Sequence, residues 1–189
     1  EAAQRATGAV CAAIDAVMAG QAKNAFCAVR PPGHHAEPER SMGFCIFNSV
    51  AIGAQHARAA HGLQRVAVVD FDVHHGNGTQ AAFWDDGDLF YGSTHQMPLY
   101  PGTGAASETG AGNIHNFPLA PGAAGIDFRD AVTDGLLPAL DAFKPEFLLI
   151  SAGFDAHADG RLVSSLEGGY DLTALAMATA AHIRALMSG

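Results

Sequence analysis

The chain has 189 residues, 49% of them hydrophobic and 15% charged, which excludes disorder and leaves room for one well-cored domain rather than two. Ten Lys and Arg stand against nineteen Asp and Glu, a formal net charge of −9 with no basic run. That balance argues against a sequence-independent grip on nucleic acid or an anionic membrane, and no apolar stretch approaches the ~18–20 residues that span a bilayer.

Residues 1–20 are Ala-rich, with Val10, Ile14 and Val17 at helical spacing, which predicts an amphipathic helix ending at Gly20. Ala25 to Val29 is a short apolar run that stops at Arg30-Pro31-Pro32-Gly33, and reads as a strand entering a loop. Helical spacing returns from Phe47 to about Ala60. Val66 to Asp70 is a continuous apolar run of the kind found in strands buried on both faces. A helix is predicted around Thr79–Trp84, a strand at Leu89–Tyr91, and a long Gly/Pro/Ser/Thr-rich loop over 93–113. Asp127 to Phe143 reads as a helix capped by Asp127 or its neighbours, and Phe147–Ser151 as a second buried strand. Leu162–Leu166 reads as a further strand, and Asp171 opens a closing helix carrying Leu172, Leu175, Ala176, Ile183 and Leu186 on its apolar face. Strands alternating with helices predict an α/β domain with a mostly parallel sheet.

One join is too short. Parallel strands ending near Ser151 and beginning near Leu162 need a crossover of a dozen or more residues, and Asp159-Gly160-Arg161 offers no helix. The sequence is therefore expected to lack a crossover segment between Ala158 and Arg161. It opens at Glu1, as if in mid-domain. Cys11, Cys27 and Cys45 form an odd, sparse set without a CxxC pair, which suits a reducing cytoplasm.

The polar residues of interest follow the strand ends, where open α/β sheets place their sites. In Asp72-x-His74 the two side chains point the same way along an extended segment, so a carboxylate and an imidazole can meet on one ion. Asp155, after another strand, adds a second oxygen. Three protein ligands with a position left for water are the layout of a catalytic zinc. A lone Asp-x-His is usually a loop cap; a third acid and two further histidines at matching strand ends change that balance. His34-His35, on a Gly-preceded loop, can both face a cleft and supply a base that takes a proton from water and returns it to a leaving group. Asp70 could hold one imidazole and Asn77 the other. Tyr170, after Gly168-Gly169, offers a phenol donor for a developing oxyanion.

RPPGHH at 30–35, GFCIFN at 43–48, DFDVHHGNGT at 70–79, STHQ at 93–96, YPGTG at 100–104, SAGFD at 151–155 and LEGGY at 166–170 resemble the zinc-dependent histone deacetylase family. RPPGHH and Asn77 resemble its class II branch and the bacterial deacetylase-like amidohydrolases, acetylpolyamine amidohydrolases among them. The resemblance implies the arginase/deacetylase fold, three α/β/α layers around a parallel sheet of about eight strands, and one deacetylase domain over 1–189. It also implies a family N-terminal portion before Glu1, and the crossover expected near residues 158–161.

Carried over by position, the zinc ligands would be Asp72, His74 and Asp155. His34 and His35 would be the catalytic pair, with His35 the general base and acid and Asp70 orienting His34. Asn77 would support His35 where class I members carry an Asp, and Tyr170 would polarise the acetyl carbonyl. Phe44 and Tyr100 would wall a narrow tunnel for the acyl-lysine stem, with Gly43 at its floor. A structural potassium ion would be held by Asp70, Asp72, His74, Ser93 and Thr94, partly through backbone carbonyls, and a second monovalent ion near Phe83, Asp86 and Leu89.

The implied reaction is hydrolysis of an N-acetyl amide, of acetylated lysine or acetylpolyamine, by a cytoplasmic enzyme without direct nucleic-acid or membrane contact. The oligomeric state stays open. Two alternatives share the scaffold. A dinuclear ureohydrolase needs further carboxylates, but Gly76 follows on the Asp72/His74 face and His157 stands near Asp155. A silent acyl-lysine-binding protein would be expected to have lost a ligand, the histidine pair or the tyrosine, and all are present.

Overall fold

The computed structural model describes residues 1–153 and Asp155. The strand at Leu162–Leu166, the closing helix from Asp171, Tyr170, His157 and the join before Arg161 lie outside the described residues.

Helix α1 (Ala2–Met18) buries Ala3, Ala6, Val10 and Ile14, a stripe at three- and four-residue spacing. It lies on α2 (Ser49–His61), which Asn48 caps by accepting the Ala51 N–H at 3.0 Å. Strands β1 (Val66–Asp70), β2 (Leu89–Gln96), β3 (Ile114–Leu119) and β4 (Phe147–Ser151) form one sheet in the order β3-β2-β1-β4, parallel throughout. Helix α3 (Asn77–Phe83) connects β1 to β2. Val66, Val68, Leu89 and Tyr91 face a core shared with Val10, Ile14, Val50 and Ala54 of α1 and α2. On the opposite face Phe90 stacks on His115, with ring centroids 4.9 Å apart, and meets Phe143 at 5.3 Å. Helices thus cover both faces of a parallel sheet, as the alternation predicts. Four strands, not eight, fall among the described residues.

Four local expectations are corrected. Ala25–Val29 is not a strand: the run is irregular, Val29 N–H bonds back to Cys27 C=O at 3.1 Å, and Cys27 packs on the core as coil. The supposed loop over 93–113 is shorter, because β2 continues through buried Ser93, Thr94 and His95 to Gln96. Polar side chains inside a strand hid that extension. The strand β3 was not expected at all; His115, Asn116 and Pro118 blur its alternation, and a proline is tolerated at the edge of the described sheet. Finally, β4 alternates rather than being buried on both faces, with Leu148 44% and Ile150 42% exposed at the other sheet edge.

The helix expected over Asp127–Phe143 is present in three consecutive pieces, α4 (Gly125–Asp130), a π-helical stretch (Ala131–Leu136) and α5 (Leu137–Phe143). Asp127 accepts the Ala124 N–H at 2.7 Å, the capping role its position suggests. The wide stretch has a physical reason in Pro138. Inside an α-helix its ring would strike the carbonyl four residues earlier, and a π turn before it relieves that clash. No helix among the described residues is long and apolar enough to cross a membrane.

Candidate active site

Register places the site. Asp70, the last residue of β1, is level with Ser93 of β2 and with Ser151, the last residue of β4, so β1 and β4 end together while β2 runs on to Gln96. The chain beyond β1 and the chain beyond β4 then meet: Phe71 N–H bonds to Ser151 C=O at 3.2 Å, and Val73 N–H to Asp155 Oδ1 at 3.0 Å. Across this junction His74 Nδ1 lies 3.0 Å from Asp72 Oδ1 and 3.1 Å from Asp155 Oδ2. The three side chains offer ligand atoms within 4.8 Å of one another. Gly153 allows the approach, since a Cβ there would strike the Asp72 carboxylate.

The histidine pair comes from the loop before α2. The first N–H groups of α3 hold it: Gly78 and Thr79 both donate to His34 C=O, at 2.9 and 3.2 Å. His34 and His35 are buried, their ring centroids 4.0 Å apart. His34 Nδ1 pairs with Asp70 Oδ2 at 3.0 Å, leaving Nε2 4.0 Å from Asp72 Oδ1. His35 Nδ1 pairs with Asn77 Oδ1 at 2.9 Å, and its ring stands 6.0 Å from that of His74. A carboxylate for one imidazole and an amide for the other are what the sequence suggested.

Tyr100 stands edge-on to His35, centroids 5.0 Å apart, and 6.3 Å from His74, so it borders the histidines. Gly43 lies under His35; its φ is +55° and a Cβ would collide with the imidazole. Phe44 is placed differently. It is 80% exposed and lies beside Arg30, Pro31 and Pro32 rather than against the histidines. Of the residues suggested for potassium, Asp70 Oδ1 accepts the Asp72 N–H at 3.1 Å and Ser93 pairs with His95 at 2.9 Å. Thr94 Oγ1 is buried without a hydrogen-bond partner. The carbonyls of Phe83, Asp86 and Leu89 do converge, but on the amide nitrogen of Asn113, at 2.9, 3.0 and 2.6 Å.

The electrostatics divide the site in two. Hydrogen bonds to Asp155 and Asp72 raise His74 to about 9, against the cost of burial. Burial raises Asp72. It also pushes Asp155 upward, but bonds from His74 and the Val73 N–H outweigh it and the net direction is down. Two carboxylates facing one nitrogen make a field that holds a cation. Asp72 Oδ2, moreover, is buried without a hydrogen-bond partner, an oxygen suited to an ion. His35 lies on the other side of the balance: burial, then repulsion from His34, lowers it to about 3, so its imidazole is neutral.

A family profile described as the histone deacetylase domain matches residues 1–162. The chain belongs to the histone deacetylase family. It is 40% identical to histone deacetylase 14, chloroplastic, of Arabidopsis thaliana over 96% of this chain and 52% of that protein. It is 39% identical to the histone deacetylase-like amidohydrolase of Pseudomonas aeruginosa over 90% of this chain and 54% of that protein. The crystal structure of the HDA15 HD domain superposes with a TM-score of 0.90 at 36% identity, covering 100% of this chain and 64% of that one. An acetylpolyamine aminohydrolase from Burkholderia pseudomallei gives 0.77 at 39% identity, over 82% and 46%. The sheet and helices are therefore those of the arginase/deacetylase fold, and the chain spans about half the length of these curated relatives.

In this histone deacetylase domain the sequence alone assigns several supporting residues no role. Glu37 Oε1 accepts from Asn77 Nδ2 at 2.7 Å. Asn48, besides capping α2, donates to Thr79 Oγ1 at 3.0 Å, joining the histidine loop to α3. Beneath the site lies a buried polar net. His95 Nε2 donates to Gly104 C=O at 2.9 Å, so its Nδ1 accepts from the Ser93 hydroxyl. His75 lies between Thr103 and Gln80, and Glu108 gathers Gln80 Nε2 and the N–H groups of Gly104 and Ala105. This net fastens the segment that carries Tyr100. His75, Ser93, His95 and Thr103 stand in the motifs, but Gln80 and Glu108, which join them, do not.

Proposed function

We propose that this domain hydrolyses an N-acetyl amide, of acetyl-lysine or of an acetylpolyamine, to acetate and a free amine, as a zinc-dependent deacetylase. The observation that carries the reading is the convergence of Asp72, His74 and Asp155 within 4.8 Å, beside a buried neutral His35. Those three residues would hold zinc, which supplies a Lewis acid for the acetyl carbonyl and makes a water acidic enough to be deprotonated near neutrality.

The chain's own groups do the rest. His35, with Asn77 accepting its Nδ1–H, presents a bare Nε2 that takes a proton from the attacking water and gives it to the departing amine. His34 is held by Asp70 through Nδ1 and turns Nε2 toward Asp72. Tyr170 would donate its hydroxyl to the developing oxyanion, and replacing it by Phe should cost roughly 10²–10³ in rate. Tyr100 would flank the substrate stem and shed water from the site. Phe44, far more exposed, would serve at the rim of the tunnel. Potassium would be held around Asp70, Asp72, His74, Ser93 and Thr94, where the orphan Thr94 hydroxyl oxygen suits a hard cation. All three cysteines are free, which supports a reducing compartment such as the cytoplasm.

The test is acetate release from an acetyl-lysine peptide and from an acetylpolyamine, with and without a zinc chelator. Chelator-sensitive turnover of either, restored by zinc, is expected, and the preferred substrate names the class. Stoichiometric zinc with no turnover of any short acyl amide would replace the reading with a silent acyl-lysine-binding protein.

A further inference from the structure

Toward the C-terminal ends of α1 and α2, three other metal-ligating side chains meet between the two helices. Asp15 comes from α1, His56 and His61 from α2. Each histidine places Nε2 2.7 Å from the same atom, Asp15 Oδ1, and the two imidazoles stand at 81° with centroids 5.9 Å apart. Among the described residues this is one of two groups that offer three such ligand atoms within 4.8 Å; the other is Asp72, His74 and Asp155. None of these three side chains belongs to the motifs, and the proposed hydrolysis uses none of them.

We propose that Asp15, His56 and His61 form a second, separate site for a divalent transition ion of zinc's class, which fastens α1 to α2. The donor set is two imidazole nitrogens and one carboxylate oxygen, a combination that suits zinc, nickel or copper and not magnesium or calcium. Three protein ligands leave room for a fourth from solvent. That room exists, because the Asp15 side chain is 52% exposed while His56 and His61 are 29% and 23% exposed. Two nitrogens from one helix and an oxygen from its neighbour make a cross-link, so the ion would stabilise the packing of α1 on the domain.

A purely hydrogen-bonded reading competes with this one. In it both Nε2–H groups donate to Asp15 Oδ1 and no ion is needed. Glutamine separates the two, since its amide also donates to a carboxylate but is a poor ligand for zinc. Metal-stripped protein would be titrated with zinc chloride by calorimetry, with bound zinc counted after dialysis and thermal melting followed in parallel. The wild type is expected to bind two equivalents per chain. Melting temperature should rise again with the second equivalent. The His56→Gln/His61→Gln variant should bind one equivalent, lose the second rise, and keep acetate release intact. Asp72→Ala should keep the α1–α2 equivalent and lose the other. An Asp72→Ala protein that binds no zinc, or a His56→Gln/His61→Gln variant that binds as many equivalents as the wild type, overturns the proposal. Should the double variant fold poorly by circular dichroism, Asp15→Asn, which keeps an acceptor oxygen for both histidines, takes its place with the same two outcomes. The result is independent of whether the domain proves to be a deacetylase.

Discussion

Asn77 Oδ1 lies 2.9 Å from His35 Nδ1, and Asn77 Nδ2 donates to Glu37 Oε1 at 2.7 Å. Because the amide nitrogen is taken by Glu37, the oxygen must face His35, and His35 must carry its proton on Nδ1. Glu37 thus chooses which nitrogen of His35 is bare. Glu37→Ala frees Asn77 to turn its nitrogen toward His35, so kcat for acetate release should fall about tenfold with KM little changed. Glu37→Gln keeps an acceptor and should recover most of the loss. Equal KM and kcat effects in Glu37→Ala would mean a general disturbance instead.

His35→Ala removes the proposed base and leaves the ligand residues alone. Acetate release should fall by roughly 10²–10⁴ while zinc content stays at the wild-type level. Loss of zinc along with activity would move His35 out of the proton-transfer role and into support of the ion.

Removing the ion should also cost stability. Asp72 and Asp155 face each other across His74, and without a cation that arrangement relies on the imidazole's proton. Chelation is expected to lower the melting temperature, and re-addition of zinc to restore it. Asp72→Ala protein should show no catalytic-site rise; an unchanged response in that variant would place the stabilising ion elsewhere.

Asn113 is predicted to be the most costly polar residue outside the site. Its amide nitrogen serves three backbone carbonyls and its oxygen accepts the Ala111 N–H at 3.0 Å. Asn113→Ala removes the bracket across the α3–β2 turn, although the Phe83 and Asp86 carbonyls and the Ala111 N–H keep backbone partners, and urea unfolding should show a loss of about 1–3 kcal/mol. If potassium replaced the amide there, high potassium would rescue the variant and sodium would not.

Acid should weaken the fold before it reaches the carboxylates. Burial, then repulsion from His95, holds His75 down to about 4, and burial lowers His95 as well. In the unfolded chain a histidine titrates near 6.5. Between about 6.5 and 4 the unfolded state therefore binds a proton that the folded state refuses. Stability falls as pH drops through that window, by up to about 1.4 kcal/mol per pH unit for each such histidine, and is fully present above it. Urea midpoints at pH 7 and pH 5 measure the slope, which should be shallower in His75→Gln. An unaltered slope would assign the acid sensitivity to His35 and His95.

Much of the site was legible because motifs state chemistry directly. Asp72-x-His74 and Asp155 are polar residues just past strand ends and His34-His35 a polar pair in the loop before α2, where a core has no use for them, and the structure gathers them as the spacing suggests. The strands of the central sheet were legible from apolar runs, as at Val66–Val69. What the sequence hid is polar structure inside regular elements. Ser93, Thr94 and His95 look like loop but complete β2, and Ile114–Leu119 is a strand whose alternation is broken by His115, Asn116 and Pro118. The run at Ala25–Val29 misleads in the reverse direction: it does not pair, and Cys27 packs on the core with its thiol donating to Ala9 C=O of α1. Glu37 and Glu108 escape the motifs because the partners that tie them to the site, Asn77 and Gln80, lie 40 and 28 residues away.

The joining of the β1 and β4 ends also has a temporal consequence. Asp72 and His74 leave the ribosome early, but the carboxylate that completes their set follows 82 residues after Val73, whose N–H it accepts. A nascent chain stalled before Asp155 would hold two of the three candidate ligands. Capture of the proposed ion would then wait until the sheet has closed, and an occupied centre would certify that translation has passed the last of the four described strands.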